Sequence, residues 1–155
     1  MTIHKDRTVW LLVAMKGGCL LLEKNFHEGR NILQLPGGPS KEGIAELVSK
    51  LFGVEYSNQI IDFGTILNTI IKPQEIVDLH IKLQRVVIDD STDFQLPDDL
   101  EWCSKETCIS DARGRRDSRL HERLFEDRHL SLVYVEEQLE DWYDAKITSW
   151  NENDN

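Results

Sequence analysis

Cysteine is scarce in this sequence of 155 residues, and its few copies follow no binding pattern. The cysteines are Cys19, Cys103 and Cys108; the closest two are five positions apart, and no CxxC occurs. An odd number of scattered cysteines argues against a disulfide framework and against a zinc knuckle. Reduced thiols are typical of the cytosol, so the sequence predicts a cytoplasmic protein.

Positive charge is also in short supply. Lys and Arg number 18 against 28 Asp and Glu, which gives a net charge of −10. Nucleic acids and anionic membranes bind positive surfaces, so this balance argues against both as partners. The apolar run at residues 9–15 is far shorter than the roughly 20 residues of a membrane span. It is better interpreted as a first strand.

Repeats, low-complexity tracts and long linkers are absent as well. A chain of this length with 40% apolar residues predicts one globular domain. We place that domain at residues 1–150, followed by a polar tail at residues 151–155. The domain is expected to end with a strand at residues 130–135 and a helix at residues 136–147.

An arginine-rich segment lies directly before the expected final strand. Residues 113–128 hold six of the nine arginines, and five acids at residues 111–127 nearly balance them. One interpretation is a phosphate-binding patch, because Arg binds phosphate with two hydrogen bonds. The other is a helix carrying i,i+4 ion pairs. The apolar stripe of Leu120, Leu124 and Phe125 favours the helix.

The first 111 residues predict several short elements. Two apolar runs around Gly17-Gly18 predict a hairpin, followed by a loop at residues 25–31 and a sharp break at residues 36–40. Further strands are expected at residues 60–65, 67–71, 76–89 and 101–103, and a short helix at residues 104–111. In this pattern Gly37-Gly38 is interpreted simply as a turn.

Between the break and these strands, residues 41–52 have the period of an amphipathic helix. Its apolar stripe comprises Ile44, Leu47, Val48, Leu51 and Phe52. Ser40 is expected to cap its start, and Gly53 to end it in the left-handed αL conformation. Glu42, Glu46 and Lys50 lie on the opposite side, where a solvated face is the ordinary interpretation.

The order of these motifs resembles the Nudix family. The resemblance rests on Leu35-Pro36-Gly37-Gly38, on the helix that ends at Gly53-Val54, and on residues 98–106, where a strand carries a Trp into a Ser-x-Glu helix start. It extends from about residue 9 to about residue 142. It implies an α+β fold: an α/β/α sandwich with a mixed sheet between helices.

The family's signature helix carries glutamates that bind magnesium or manganese against a diphosphate. Counting back from Gly53, those glutamates fall on Leu47, Lys50 and Leu51, and the signature's Arg falls on Glu46. Gly38 and Gly53 are fifteen steps apart, whereas the signature spans twenty-one from its first Gly to its last. The signature is therefore shortened and degenerate here. Two ligand positions are apolar and one is cationic, a poor set for a divalent cation.

Some site residues can still be named as candidates. The candidate catalytic carboxylates are Glu42, Glu46, Asp98 and Glu101, with Asp99 beside them. The candidate ligand-binding residues are Leu35, Gly37, Gly38, Trp10 and Trp102, since Nudix-like folds use aromatic side chains to stack bases. The sequence indicates no metal-binding set, and magnesium or manganese is expected only if the protein is an active hydrolase.

Three functions remain open at this point. The first is a Nudix-like protein without pyrophosphohydrolase activity that binds a nucleotide or ADP-ribose-like ligand, or a protein partner. The second is a metal-dependent hydrolase of nucleoside diphosphate derivatives whose carboxylate ligands are displaced. The third is an acidic inhibitory or structural partner, suggested by the net charge alone.

Overall fold

A computed structural model of the chain describes residues 1–27 and 30–112. Within this part the chain forms seven strands and three helices. The strands are β1 (Ile3–Lys16), β2 (Cys19–His27), β3 (Arg30–Gln34), β4 (Gly37–Gly38), β5 (Ile61–Ile71), β6 (Glu75–Ile88) and β7 (Leu100–Cys103). The helices are α1 (Lys41–Phe52), α2 (Val54–Ser57) and α3 (Lys105–Ala112).

All seven strands belong to one mixed sheet. Its main order is β3-β2-β1-β6-β5, with β4 beside β1 and β7 beside β2. The long strands β1 and β6 run parallel, and the other pairs are antiparallel. Gly17 and Gly18 connect β1 to β2 with φ angles of 56° and 78°. Two positive φ values are typical of a two-residue type I′ hairpin turn, and Lys16 pairs with Cys19, so the predicted hairpin is confirmed.

The sheet separates two hydrophobic clusters, because successive side chains of a strand point to opposite faces. On β1, Val9 and Leu11 belong to one cluster, while Leu12 and Ala14 belong to the other. Helix α1 packs on the second cluster, and Cys108 of α3 belongs to the first. Helices therefore lie on both faces of the mixed sheet, which confirms the predicted α+β sandwich.

Helix α1 begins and ends at the predicted residues. The Ser40 hydroxyl accepts a hydrogen bond from the Gly43 N–H at 3.2 Å, the geometry of an N-cap. The αL ending predicted for Gly53 is wrong, because this residue has φ 108° and ψ 159°. The positive φ fits a glycine, but the extended ψ redirects the chain into the one-turn helix α2, which the sequence did not predict.

Three further expectations need correction. Strands β2 and β3 extend through most of the predicted loop at residues 25–31. The two strands expected at residues 60–65 and 67–71 are one strand, β5, with an irregular register between Asp62 and Gly64. A bulge of this kind interrupts the alternation of apolar and polar side chains from which a strand is predicted. Gly37 and Gly38 form more than a turn, because they pair as β4 with Leu11 and Trp10.

Several predictions lie outside the described residues. These are the arginine-rich segment at residues 113–128, the final strand and helix, and the polar tail. In the part of the chain that is described, no helix is both long enough and apolar enough to cross a membrane.

Candidate ligand-binding site

Helix α1 covers only one half of its face of the sheet. It packs over Leu12 and Ala14 of β1 and over Val86 and Ile88 of β6. Toward the start of β1, the same face carries mainly polar, exposed or half-buried side chains, which we call the open face. Its residues are His4, Asp6, Thr8, Thr65, Leu67, Thr69, Asp78, His80 and Lys82.

A single row of residues crosses the sheet where the covered half meets the open face. Gly38 of β4 lies opposite Trp10 of β1, Trp10 is in register with Lys82 of β6, and Lys82 with Thr65 of β5. The Lys82 Nζ lies 5.5 Å from the centre of the Trp10 ring, a cation–π distance. A Cβ atom added to Gly38 would meet nothing within 4 Å. The row therefore combines a half-buried aromatic ring, an ammonium group and free space beside a glycine.

Two histidine–aspartate pairs connect β1 to β6 farther along the open face. His4 Nε2 lies 2.7 Å from Asp78 Oδ2, and His80 Nε2 lies 3.2 Å from Asp6 Oδ1. The Thr69 hydroxyl donates to the other oxygen of Asp78 at 2.8 Å. These contacts, first the Thr69 hydrogen bond and then that of His4, lower the pKa of Asp78 below its usual value of 3.8.

Trp102, one of the candidate base-stacking residues, lies in an aromatic cluster beside the end of α1. Its ring centre is 5.8 Å from that of Phe52, and Phe52 is also 6.2 Å from Tyr56 and 5.2 Å from Phe94. Phe94 comes from the acidic loop at residues 89–99. The loop is held further where the Asp89 N–H donates to the Tyr56 hydroxyl at 3.2 Å. These contacts give Trp102 a packing role in the core.

The candidate carboxylates are not brought together. Glu42 and Glu46 are exposed on the outer side of α1, and Asp98 is exposed before β7. Glu101 is in register with Leu22, whose side chain belongs to the cluster on the face away from α1. Asp99 is exposed next to Asp98. Among residues 1–27 and 30–112, no three His, Cys, Asp or Glu side chains form a group that could hold a metal ion.

The positions in α1 that correspond to the signature glutamates hold core or surface residues instead. Leu51 is 8% exposed in the core cluster, and Leu47 packs against the same cluster. Lys50 is exposed beside them in the last turn. Apolar side chains that hold the helix on the sheet supply no oxygen ligand, and a lysine repels a dication. The side chains of α1 therefore do not fit a magnesium site built on these three positions.

The remaining candidates divide between core and surface. Leu35 is 2% exposed and belongs to the core cluster away from α1, while Gly37 is half-buried opposite Leu11. Lys82 was not among the predicted candidates, because the alternating pattern marks only that it lies on the polar side of β6. The signal that could have found it is the pairing of β4, β1 and β6, which a single sequence does not reveal.

An open groove of about 490 Å³ lies elsewhere, where β1 starts beside the β5–β6 turn. It is lined by Ile3, Lys72, Pro73, Gln74 and Glu75. None of the predicted site residues contributes to it.

Comparison with known proteins gives different results for the sequence and for the structure. Neither a protein-family model nor a curated protein matches the sequence. Solved structures do match the fold. MutT from Bacillus halodurans superposes with a TM-score of 0.55 at 17% identity, covering 81% of this chain and 86% of that protein. The Nudix domain of NrtR from Shewanella oneidensis, in complex with ADP-ribose, gives 0.57 at 14% identity, covering 78% and 87%.

A third similar structure is the C-terminal domain of mouse MUTYH in complex with human PCNA. It superposes with a TM-score of 0.57 at 14% identity, covering 77% of this chain and 87% of that domain.

The described part of the chain is an α+β sandwich in which helix α1 covers half of one face of a mixed sheet. The chain is a Nudix-fold protein, as its motif order predicts. At these identities the likeness establishes the fold and leaves activity to the site itself.

Proposed function

We propose that this Nudix-fold protein binds a nucleotide ligand of the ADP-ribose type and lacks normal pyrophosphohydrolase activity. The observation that carries the proposal is the composition of α1. The three positions that correspond to the signature glutamates hold two leucines that pack on the sheet and one exposed lysine. Hydrolysis of a diphosphate needs clustered carboxylates to hold divalent cations, and α1 does not offer them.

The row from Gly38 to Lys82 supports the binding half of the proposal. A nucleotide needs a flat apolar surface for its base or ribose and a cation for its phosphates. Trp10 offers the first, Lys82 the second, and the space beside Gly38 leaves room for a ligand. The NrtR Nudix domain, which has a similar fold, was solved with ADP-ribose. That structure makes ADP-ribose the first ligand to test.

Binding at this row is tested by titrating ADP-ribose into the Lys82→Met variant in a calorimeter, with a chelator present. A hydrogen bond to a charged group contributes about 1.5–3 kcal/mol, so loss of the ammonium should weaken binding by roughly tenfold or more. Lys105→Met is the matched control, since Lys105 is an exposed lysine of α3, the helix whose Cys108 packs on the opposite face of the sheet. It should bind as the unaltered chain does.

Equal affinity of the two variants would remove Lys82 from the site. Absence of any binding by the unaltered chain, with no hydrolysis in magnesium, would contradict a ligand of the ADP-ribose type. A protein partner would then be the better hypothesis, because the similar MUTYH domain was solved in complex with PCNA.

A further inference from the structure

A polar pair of residues, Thr8 of β1 and His80 of β6, lies next to the row that contains Trp10 and Lys82. Thr8 and His80 are in register with each other, two positions before Trp10 and Lys82 and on the same face of the sheet. At roughly 3.3 Å per residue, the two rows are about 7 Å apart. A ligand that is held by Trp10 and Lys82 and extends toward the start of β1 therefore meets Thr8 and His80 first.

His80 is held by Asp6, and together they offer hydrogen-bond acceptors to a ligand. His80 Nε2 lies 3.2 Å from Asp6 Oδ1. Because an ionised carboxylate can only accept a hydrogen bond, Nε2 donates it, and Nδ1 of the neutral imidazole is then an acceptor. The Asp6 side chain is 75% exposed, so its carboxylate is accessible for further hydrogen bonds. Both members of the pair therefore call for a ligand group that donates.

The second histidine–aspartate pair, His4 and Asp78, is less available to a ligand. Asp78 Oδ2 lies 2.7 Å from His4 Nε2, and Asp78 Oδ1 accepts a hydrogen bond from the Thr69 hydroxyl at 2.8 Å. The Asp78 side chain is only 26% exposed. Since each oxygen of Asp78 already has a partner, Asp6 is the carboxylate of the open face that is better placed to bind a ligand.

Acceptors of this kind distinguish a sugar from a further phosphate. Ionised phosphate oxygens accept hydrogen bonds but do not donate them, and their charge is repelled by Asp6. Sugar hydroxyl groups donate, and a hydrogen bond to a carboxylate is stronger than one between neutral groups. We infer that the His80–Asp6 pair binds the sugar hydroxyls of the ligand, so that the site selects a nucleoside diphosphate joined to a sugar over a nucleoside di- or triphosphate. This inference rests on the nucleotide binding proposed for Trp10 and Lys82.

Calorimetric titrations with ADP-ribose and with ADP, both with a chelator present, test this selection, because the two ligands differ by the terminal ribose. The unaltered chain should bind ADP-ribose more tightly than ADP by roughly tenfold or more, the effect of hydrogen bonds to a charged group. Equal affinities, or tighter binding of ADP, would overturn the inference and leave nucleotide binding itself in place. Binding of neither ligand would overturn the proposed function and this inference with it.

The Asp6→Ala variant assigns the preference to the pair. Its affinity for ADP-ribose should fall close to its affinity for ADP, and ADP should bind at least as tightly as before, because a negative charge near the phosphates is lost. Asp90→Ala is the matched control, since Asp90 is an exposed aspartate just beyond the other end of β6. It should keep the full preference. A general disturbance of the fold would weaken both ligands alike, so the ratio of the two affinities reports the sugar contact. A ratio that is unchanged in Asp6→Ala, or equally reduced in Asp90→Ala, would overturn the role of the pair.

Discussion

Phe52 is expected to hold the end of α1 and the acidic loop at residues 89–99 in place. Its side chain is 6% exposed, and it contacts three other aromatic rings, at 5.2 Å from Phe94, 5.8 Å from Trp102 and 6.2 Å from Tyr56. Replacing a buried Phe by Ala costs about 3–5 kcal/mol through lost transfer energy and the cavity left behind. Phe52→Ala should therefore lower the free energy of unfolding by that amount, a large part of a typical domain's total.

Urea unfolding monitored by circular dichroism measures this loss. Phe52→Leu keeps most of the apolar volume and removes the ring pairs, each of which contributes about 0.5–1.5 kcal/mol, so it should lie between Ala and Phe. Val54→Ala is the control, since Val54 is 63% exposed and its loss should change stability by less than about 0.5 kcal/mol. A loss below about 1 kcal/mol in Phe52→Ala would refute this aromatic packing.

Two further changes test local structure. Thr69→Val removes the main hydrogen bond that lowers the pKa of Asp78, so NMR titration should show that pKa rising toward 3.8. A carboxyl group whose pKa is lowered by folding stabilises the fold above about pH 3.8, and this stabilisation is lost as the pH falls through the folded-state pKa. The difference in stability between the variant and the unaltered chain should therefore shrink in acid. An unchanged pKa of Asp78 would contradict the contact. Ser40→Ala should lose about 1 kcal/mol in urea unfolding and Ser40→Gly only a few tenths, and equal losses would exclude the cap.

The parts of the fold that depend on local chemistry could be predicted from the sequence. The period of residues 41–52 and the hydroxyl of Ser40 determine where α1 begins, and Gly17-Gly18 determines the first hairpin. The alternation along β6 likewise predicts its buried side, where Val77 and Leu83 are fully buried. Each of these signals lies within a few residues of the element that it specifies.

The site could be predicted only in part, because its residues meet through long-range pairing. Gly38, Trp10 and Lys82 share a row since β4 and β6 flank β1, an arrangement that no short motif encodes. Glu101 and Trp102 are neighbours in the chain but point to opposite faces of the sheet, so these two candidates do not line one site. The predicted ligand-binding roles stay predictions until a ligand is tested; they concern Leu35, Gly37, Gly38, Trp10 and Trp102.

We propose above that this protein binds a nucleotide ligand without hydrolysing it, and one experiment tests both halves of that proposal. One purified sample should be titrated with ADP-ribose, with and without magnesium or manganese, while thermal stability and product release are followed together. We predict a saturable rise in melting temperature that does not require the metal, and no metal-dependent turnover. Metal-dependent hydrolysis of ADP-ribose would contradict the claim and would show that carboxylates other than the signature set hold the cation.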